Sequence, residues 1–344
     1  MRRRVVLSTI IVLPMLLLAA GCTAAPPKKS ASPTPTEPAY VSTYEAPAAT
    51  EIAPLRGTTV PAGSLAHPSL AAKIDNHEEA RPQYGLDRTD IVFEELVEGG
   101  LTRYAAVWQS DVPDEIGPVR SIRPMDPDII SPFGGIIAYS GGQQIFVDMM
   151  MATPVKNLVF DYDTSGIFYR NDVHDAPHNV ILRAKDVVGQ SAALAAPQQQ
   201  WAYSTDIATS TAALDGAPTG NIAVSFSPER YPNYTWDEAT KVWLRNQEGS
   251  PDLDANGKQL QATNVITMRV DIDGTYGEVP KTVLTGSGAA TVSTGGKTVN
   301  ATWSKADAGS PIRFVDGNGV VVRLAPGNTW IELVPNGTGS VTLQ

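Results

Sequence analysis

The chain has 344 residues, with 36 acidic side chains against 26 Lys and Arg, a formal charge of −10 and 42% hydrophobic residues. That apolar content suffices for a real core, and the acidity excludes a general nucleic-acid binder, whose footprint is a basic surface. Four His and one Cys exclude zinc fingers, CxxCH haem attachment and a disulfide framework.

The N-terminus reads as an address. Arg2, Arg3 and Arg4 precede the apolar run Val5 to Leu18, and Ala19-Ala20-Gly21 places small residues before Cys22. This run is shorter than the roughly 20 residues a membrane-spanning helix needs, so residues 1–21 are expected to be a signal peptide. The small residues before Cys22 resemble a bacterial lipobox. That likeness implies a palmitate-type lipid anchor on Cys22 and a lipoprotein held on the extracytoplasmic face of the cell membrane. Residues 22–54 follow as a tether. Positions 23–54 hold seven Pro, eight Ala and five Thr, too little apolar surface to offset the entropy of ordering, so an extended, polyproline-biased segment is expected there.

From Leu55 the pattern becomes that of a folded chain. Strands are predicted over Leu70 to Ile74, Asp90 to Val97, Tyr104 to Gln109, Ile136 to Tyr139 and Leu158 to Asp161. Helices are predicted over Asp126 to Phe133, Gln143 to Ala152 and Lys185 to Ala196, the first opened by Pro124 and closed by Gly134-Gly135. Strands alternating with helices over 55–205 indicate a mixed α/β layered domain. After Gly216 short strands follow one another without helices: Asn221 to Phe226, Tyr234 to Trp236, Val242 to Arg245, Val265 to Ile272 and Thr298 to Trp303. The series continues with Ile312 to Val315, Val320 to Leu324 and Thr329 to Val334, separated by turns such as Asp316-Gly317-Asn318-Gly319. Residues 216–344 are therefore expected to form a separate β-rich domain, and the fold class is α+β.

Several blocks carry a family resemblance. They are Lys73-Ile74-Asp75-Asn76-His77, Ala80-Arg81-Pro82-Gln83, the run Asp90 to Gly100, Gly117 to Pro124, Ser140-Gly141-Gly142, Phe168-Tyr169-Arg170 and Ala176-Pro177-His178-Asn179. In this order they resemble the YerB-like bacterial lipoproteins, a family defined by a domain of unknown function. The stretch Tyr234 to Ile266 and the tail with Trp303 and Trp330 are similar to that family's C-terminal part. The resemblance implies a lipoprotein with an α/β first part and a β-rich second part, and it implies no established activity.

The residues singled out for chemistry are Arg103, Arg120, Arg123 and Arg170, each next to a helix breaker, a glycine or an aromatic residue. A guanidinium offers five donors in a planar fork suited to carboxylate or phosphate, and in an acidic chain such a group favours an anionic ligand. With His178, Asn179 and Glu95 they form the expected ligand-binding set. The competing expectation is internal pairing with Asp90, Glu94, Glu95 and Glu98. Strand alternation places Glu94 and Glu98 on one face and Glu95 on the other.

Other patterns carry less. His77 has no second His at the i+4 spacing of a helical metal site, so no metal and no cofactor is expected. Ala138-Tyr139-Ser140-Gly141-Gly142 approximates a nucleophile elbow, with His178 and Asp172 or Asp175 as partners, but these lie closer in sequence than an α/β-hydrolase allows. The run Asp252 to Gly257 copies half of an EF-hand loop without its closing Glu and reads as a turn. Arg88 to Val92 and Ser121 to Pro124 are loosely similar to the LytR-CpsA-Psr transferases, with Ile122-Arg123-Pro124 departing from their Pro-Arg-Asp order. The expectation is a non-catalytic module that binds an anionic envelope glycan or an envelope protein. The alternative is an envelope transferase or hydrolase with Glu95 or Glu98 as base.

Overall fold

The computed structural model describes residues 42–344. Nine strands of one 12-stranded sheet frame the molecule. From the first half come β1 (Leu70–Asp75), β2 (Ile91–Leu96), β3 (Thr102–Trp108), β4 (Ile136–Tyr139) and β5 (Lys156–Val159). From the second half come β6 (Asn264–Tyr276), β7 (Gly286–Thr294), β8 (Lys297–Lys305) and β9 (Thr329–Pro335). Their spatial order is β8-β7-β6-β9-β2-β3-β1-β4-β5.

That order corrects the expected division into two fold classes. β9 lies parallel to β6 on one side and parallel to β2 on the other, with Thr329 beside Ile91 and Glu332 beside Glu94. Helices are few and short, and sheet runs through both halves: the fold is mixed α/β throughout. Both cores draw on both halves as well. Strand alternation sends Ile91, Phe93 and Val107 to one face of the sheet, where they meet Ile266, Met268 and Ile331. Val92, Tyr104 and Ala106 go to the other face and meet Val265 and Trp330, together with Ile222, Tyr234 and Trp243 of a second, antiparallel sheet. Each buried aliphatic or aromatic side chain there stabilises the fold by about 1.5–3 kcal/mol.

The ordered chain also begins earlier than the tether boundary implied. Thr50–Ile52 pairs antiparallel with Thr59–Pro61, and Leu55 in the turn between them is fully buried. The helix expected over 185–196 stops at Gln190, just past Gly189, whose missing side chain weakens helix propensity. The signal peptide and Cys22 lie outside the described residues. The assignment of this chain as a palmitate-bearing lipoprotein of the membrane and cell envelope is withdrawn: its carriers, residues 1–22, have no described structure. Among the described residues no helix is long and apolar enough to cross a membrane.

One turn is tightly constrained. Gly134 and Gly135 reverse the chain after Pro132 with φ of +61° and +64°, and a Cβ on Gly135 would meet the carbonyl oxygen of Ser69 at 2.3 Å. Backbone cannot yield there as a flexible side chain could. Gly135→Ala is expected to destabilise by more than about 1 kcal/mol in urea unfolding. A smaller loss would mean that the β1–β4 entry relaxes freely.

Candidate functional site

β1, β4 and β5 run parallel, and β2 ends where antiparallel β3 begins. One edge of the sheet therefore collects the ends of β1, β2, β4 and β5 and the start of β3. Residues just beyond the carboxyl ends of parallel strands are where open α/β sheets hold ligands, because the diverging loops leave room there. The segment 117–123 wedges into this edge. Arg120 N–H donates to Lys73 O, and Ser140 N–H donates to Arg120 O, so the segment threads between β1 and β4 where the two strands part.

Three of the expected arginines meet here. Register places Arg103 opposite both Asp75 and Glu95. Arg103 donates to Ser121 O at 2.8 Å, and among the described residues no carboxylate lies within ion-pair distance of it. Burial, followed by the charges of Arg123 and Arg120, lowers its pKa to about 10. Arg120 places Nε 3.3 Å from Asp75 Oδ2, out of line for a hydrogen bond, and that Nε is a buried donor without a partner. Arg123 donates from Nε to Glu98 Oε2 at 2.7 Å and from Nη1 to Ile122 O at 2.8 Å. Burial pushes the Glu98 carboxyl up, but the Arg123 hydrogen bond and charge outweigh it and hold its pKa low. Arg120 and Arg123 thus each have one acid at ion-pair distance, and Arg103 has none that close, although the Asp75 and Glu98 charges act on it.

The other expected residues fall around this group in different ways. Asp75 accepts from His178 Nδ1 at 2.7 Å, and His178 Nε2 lies 3.3 Å from Glu79. Asn179 accepts from Arg170 Nη1 at 2.6 Å, while the Arg170 guanidinium rests over the Phe160 ring at 4.9 Å. Glu95 is separated from the edge. It is fully buried and pairs with Lys73, whose Nζ also donates to Asp126 Oδ1 at 2.8 Å. Burial, then the Asp126 charge, pushes the Glu95 carboxyl up to about 7 against the pull of Lys73.

Sequence reasoning did not find Lys73 or Asp75. Lys73 carries a charge inside the apolar run Leu70–Ile74, and that incongruity was the available signal. The paired expectation for Glu94 and Glu95 resolves by alternation: Glu95 meets Lys73, and Glu94 on the opposite face meets Arg245 at 2.6 Å.

Several weaker patterns resolve structurally. Both ring nitrogens of His178 face carboxylates, Asp75 and Glu79, so it is not oriented as the base of a serine triad. Asp254 Oδ1 accepts from Asn256 N–H and Gly257 N–H donates to Asp254 O, a turn in place of a calcium loop. Arg88 precedes β2 and pairs with Asp111, whereas Arg123 holds Glu98 beyond the other end of β2, so the two transferase-like segments share no site. A concavity of about 750 Å³ lies elsewhere, among Trp201, Lys305, Ile312 and Phe314. Its Lys305 ammonium is committed to the carbonyls of Asp307, Ala308 and Ser310.

The family models for a protein of unknown function, DUF3048, match residues 55–197 with the N-terminal domain and 222–331 with the C-terminal domain. Together they span well over half of the chain. The chain belongs to the DUF3048 family. A similar relative is YerB of Bacillus subtilis strain 168, 26% identical over 296 residues that cover 83% of this chain and 86% of YerB. The crystal structure of Bacillus subtilis YerB shares the fold with a TM-score of 0.74, at 24% identity over 85% of this chain and 99% of that one. The DUF3048 boundary at 197–222 does not divide the central sheet, because β9 from the second segment completes it beside β2 from the first. The arginine group belongs wholly to the DUF3048 N-terminal segment.

Proposed function

We propose that this DUF3048 member is a non-catalytic binding module for an anionic ligand, a phosphate- or carboxylate-bearing glycan or a protein partner of that charge, seated on Arg103 and Arg120 with Arg123 behind them. The observation that carries this reading is the surplus of donors at the strand-end edge: Arg103 has a carbonyl and no carboxylate, and Arg120 Nε has no hydrogen-bond partner. A buried unpaired donor is costly, and an oxyanion would satisfy both guanidinium groups with charge-assisted hydrogen bonds. The enzymatic alternative has less support. Glu95 has no exposed surface with which to reach a substrate, and Glu98 is bound to Arg123.

The test is thermal stability of the full chain against pyrophosphate, polyprenyl phosphates, teichoic-type polymers and peptidoglycan fragments. A ligand of the native state raises the midpoint as RT ln(1 + [L]/Kd). Arg103→Gln and Arg120→Gln are each expected to weaken binding by about 10–100-fold, the worth of a hydrogen bond to a charged group. Absence of a shift with every compound, or shifts in both variants as large as in the unaltered chain, would sink the reading.

A further inference from the structure

Beside the arginines, on the other side of Asp75, the neighbouring His77 and Glu79 meet a third potential metal ligand, His178, from a distant part of the chain. One ligand atom each from His77, Glu79 and His178 lies within 4.8 Å of the other two. His77 follows β1 directly, Glu79 sits in the short 3-10 turn Glu78–Ala80, and His178 comes from the loop before Val180–Arg183. The two imidazole rings stack, with centroids 4.6 Å apart and planes 24° from parallel.

The order within this cluster is that of a metal site. His178 is the fixed member, nine-tenths buried, and the Asp75 carboxylate at 2.7 Å from Nδ1 sets its tautomer. The other ring nitrogen, Nε2, points out toward the Glu79 carboxylate 3.3 Å away, so the imidazole atom free to ligate faces the carboxylate that would ligate beside it. A carboxylate that holds the far nitrogen of a histidine is also the usual support of a ligating imidazole. His77 and Glu79 are the adjustable members. His77 Nδ1 accepts a 3.2 Å bond from Glu79 N–H and lies 3.9 Å from the Glu79 carboxylate, and the Glu79 side chain is exposed. Ligand atoms about 2.0–2.1 Å from a tetrahedral zinc ion sit roughly 3.4 Å from one another. A contraction on the order of 1 Å, with the half-exposed His77 ring rotating out of the stack and the exposed Glu79 carboxylate following, would therefore close the set.

We infer that His77, Glu79 and His178 form a binding site for a divalent transition-metal ion of the zinc class, with Asp75 as the positioning residue. Two imidazoles and one carboxylate suit zinc over magnesium or calcium, which take oxygen ligands. Three protein ligands leave one tetrahedral position open. The inference stands on its own geometry and does not depend on the anion reading. His77 beside Asp75 and Glu78 invites a metal reading from sequence, which the missing i+4 histidine sets aside; the second imidazole, His178, lies 103 positions beyond Asp75.

The experiment titrates the untagged, metal-free full chain with Zn²⁺ in competition with a chromophoric chelator, and separately with Co²⁺, whose visible absorption reports tetrahedral nitrogen and oxygen ligation. One equivalent of Zn²⁺ is expected, with no competition from excess Mg²⁺. Glu79→Ala and His77→Ala change exposed or half-exposed side chains and keep the fold measurable, and each is expected to weaken Zn²⁺ binding at least tenfold. Asp75→Asn is expected to weaken it about 10–100-fold, because the carboxylate that orients the His178 imidazole is lost. No stoichiometric binding, or binding unaltered in Glu79→Ala and His77→Ala, overturns the inference. Retained Zn²⁺ affinity without any anion-dependent shift would remove the anion reading alone.

Discussion

Arg245→Ala is expected to lower the unfolding free energy by about 3–5 kcal/mol, because it strands buried acids without their cation. Arg245 is fully buried. It donates to Glu94 at 2.6 Å and to the Tyr234 hydroxyl at 3.2 Å, and it also pairs with Asp252. Its guanidinium lies 4.7 Å from the Trp330 ring centroid and 5.4 Å from that of Tyr104. Beside it, register places Glu332 next to Glu94 on the adjacent parallel strand. Burial, and then the Glu94 charge, push the Glu332 carboxyl well above the usual carboxylate range. Urea unfolding provides the measurement, and a loss below about 1 kcal/mol would show that water reaches the acids. Adding Glu94→Gln and Asp252→Asn to an Arg245→Met chain is expected to recover part of the loss, since neutral polar groups no longer need the cation.

Glu95→Gln is expected to flatten the pH dependence of stability. Lys73, Glu95 and Asp126 have no exposed side-chain surface, so one cation is shared by two acids. The Glu95 pKa is raised from its ordinary 4.5 to about 7 in the folded protein, first by burial and then by Asp126. The folded chain therefore holds this proton more tightly than the unfolded chain. Its contribution is fully present below about pH 4.5 and is lost as pH rises through about 7, amounting to up to about 3 kcal/mol at one pKa unit per 1.36 kcal/mol. The Gln variant keeps a carbonyl for Lys73 and removes the titration. Relative to wild type it should gain stability between pH 5 and pH 8 in urea melts. Parallel curves for the two proteins across that range would rule out a proton on Glu95.

The strands that the sequence revealed best are those with an apolar core and hard punctuation. Ile136–Tyr139 is bounded by Gly135 and Gly141 and was read to the residue, and the alternation of Glu94 and Glu95 sent each to its true face. β7 was missed because Gly-Ser-Gly-Ala-Ala reads as linker. Its small residues answer to a neighbour, since a Cβ on Gly288 would meet Trp303 Nε1 at 2.7 Å, where Trp303 is also its register partner. That demand is tertiary and leaves no local pattern. That the two halves share one sheet was hidden for the same reason: a turn-rich stretch marks a change of local structure, and nothing local in Thr329–Pro335 says that it will slot between β6 and β2. At the strand-end edge the arginines were visible as residue types. Glu98 was visible as a candidate acid and pairs with Arg123, whereas the partners Asp75 and Ser121 required the register of β1, β2 and β3.

The slot occupied by β9 also bears on how the protein can be made. A ribosome releases this chain from the N-terminus, and β2 emerges long before Thr329–Pro335. Until then β2 has an open flank of unpaired backbone groups, and Glu94 lacks its neighbour Glu332. Stabilising contacts between such distant segments form late and slowly, and an exposed strand edge is a template for wrong pairing during that wait. The nascent protein is therefore expected to become protease-resistant only once its final strands are available. Truncation just before Thr329 should leave the preceding residues aggregation-prone, although they contain the whole arginine group and all three histidine–glutamate ligands.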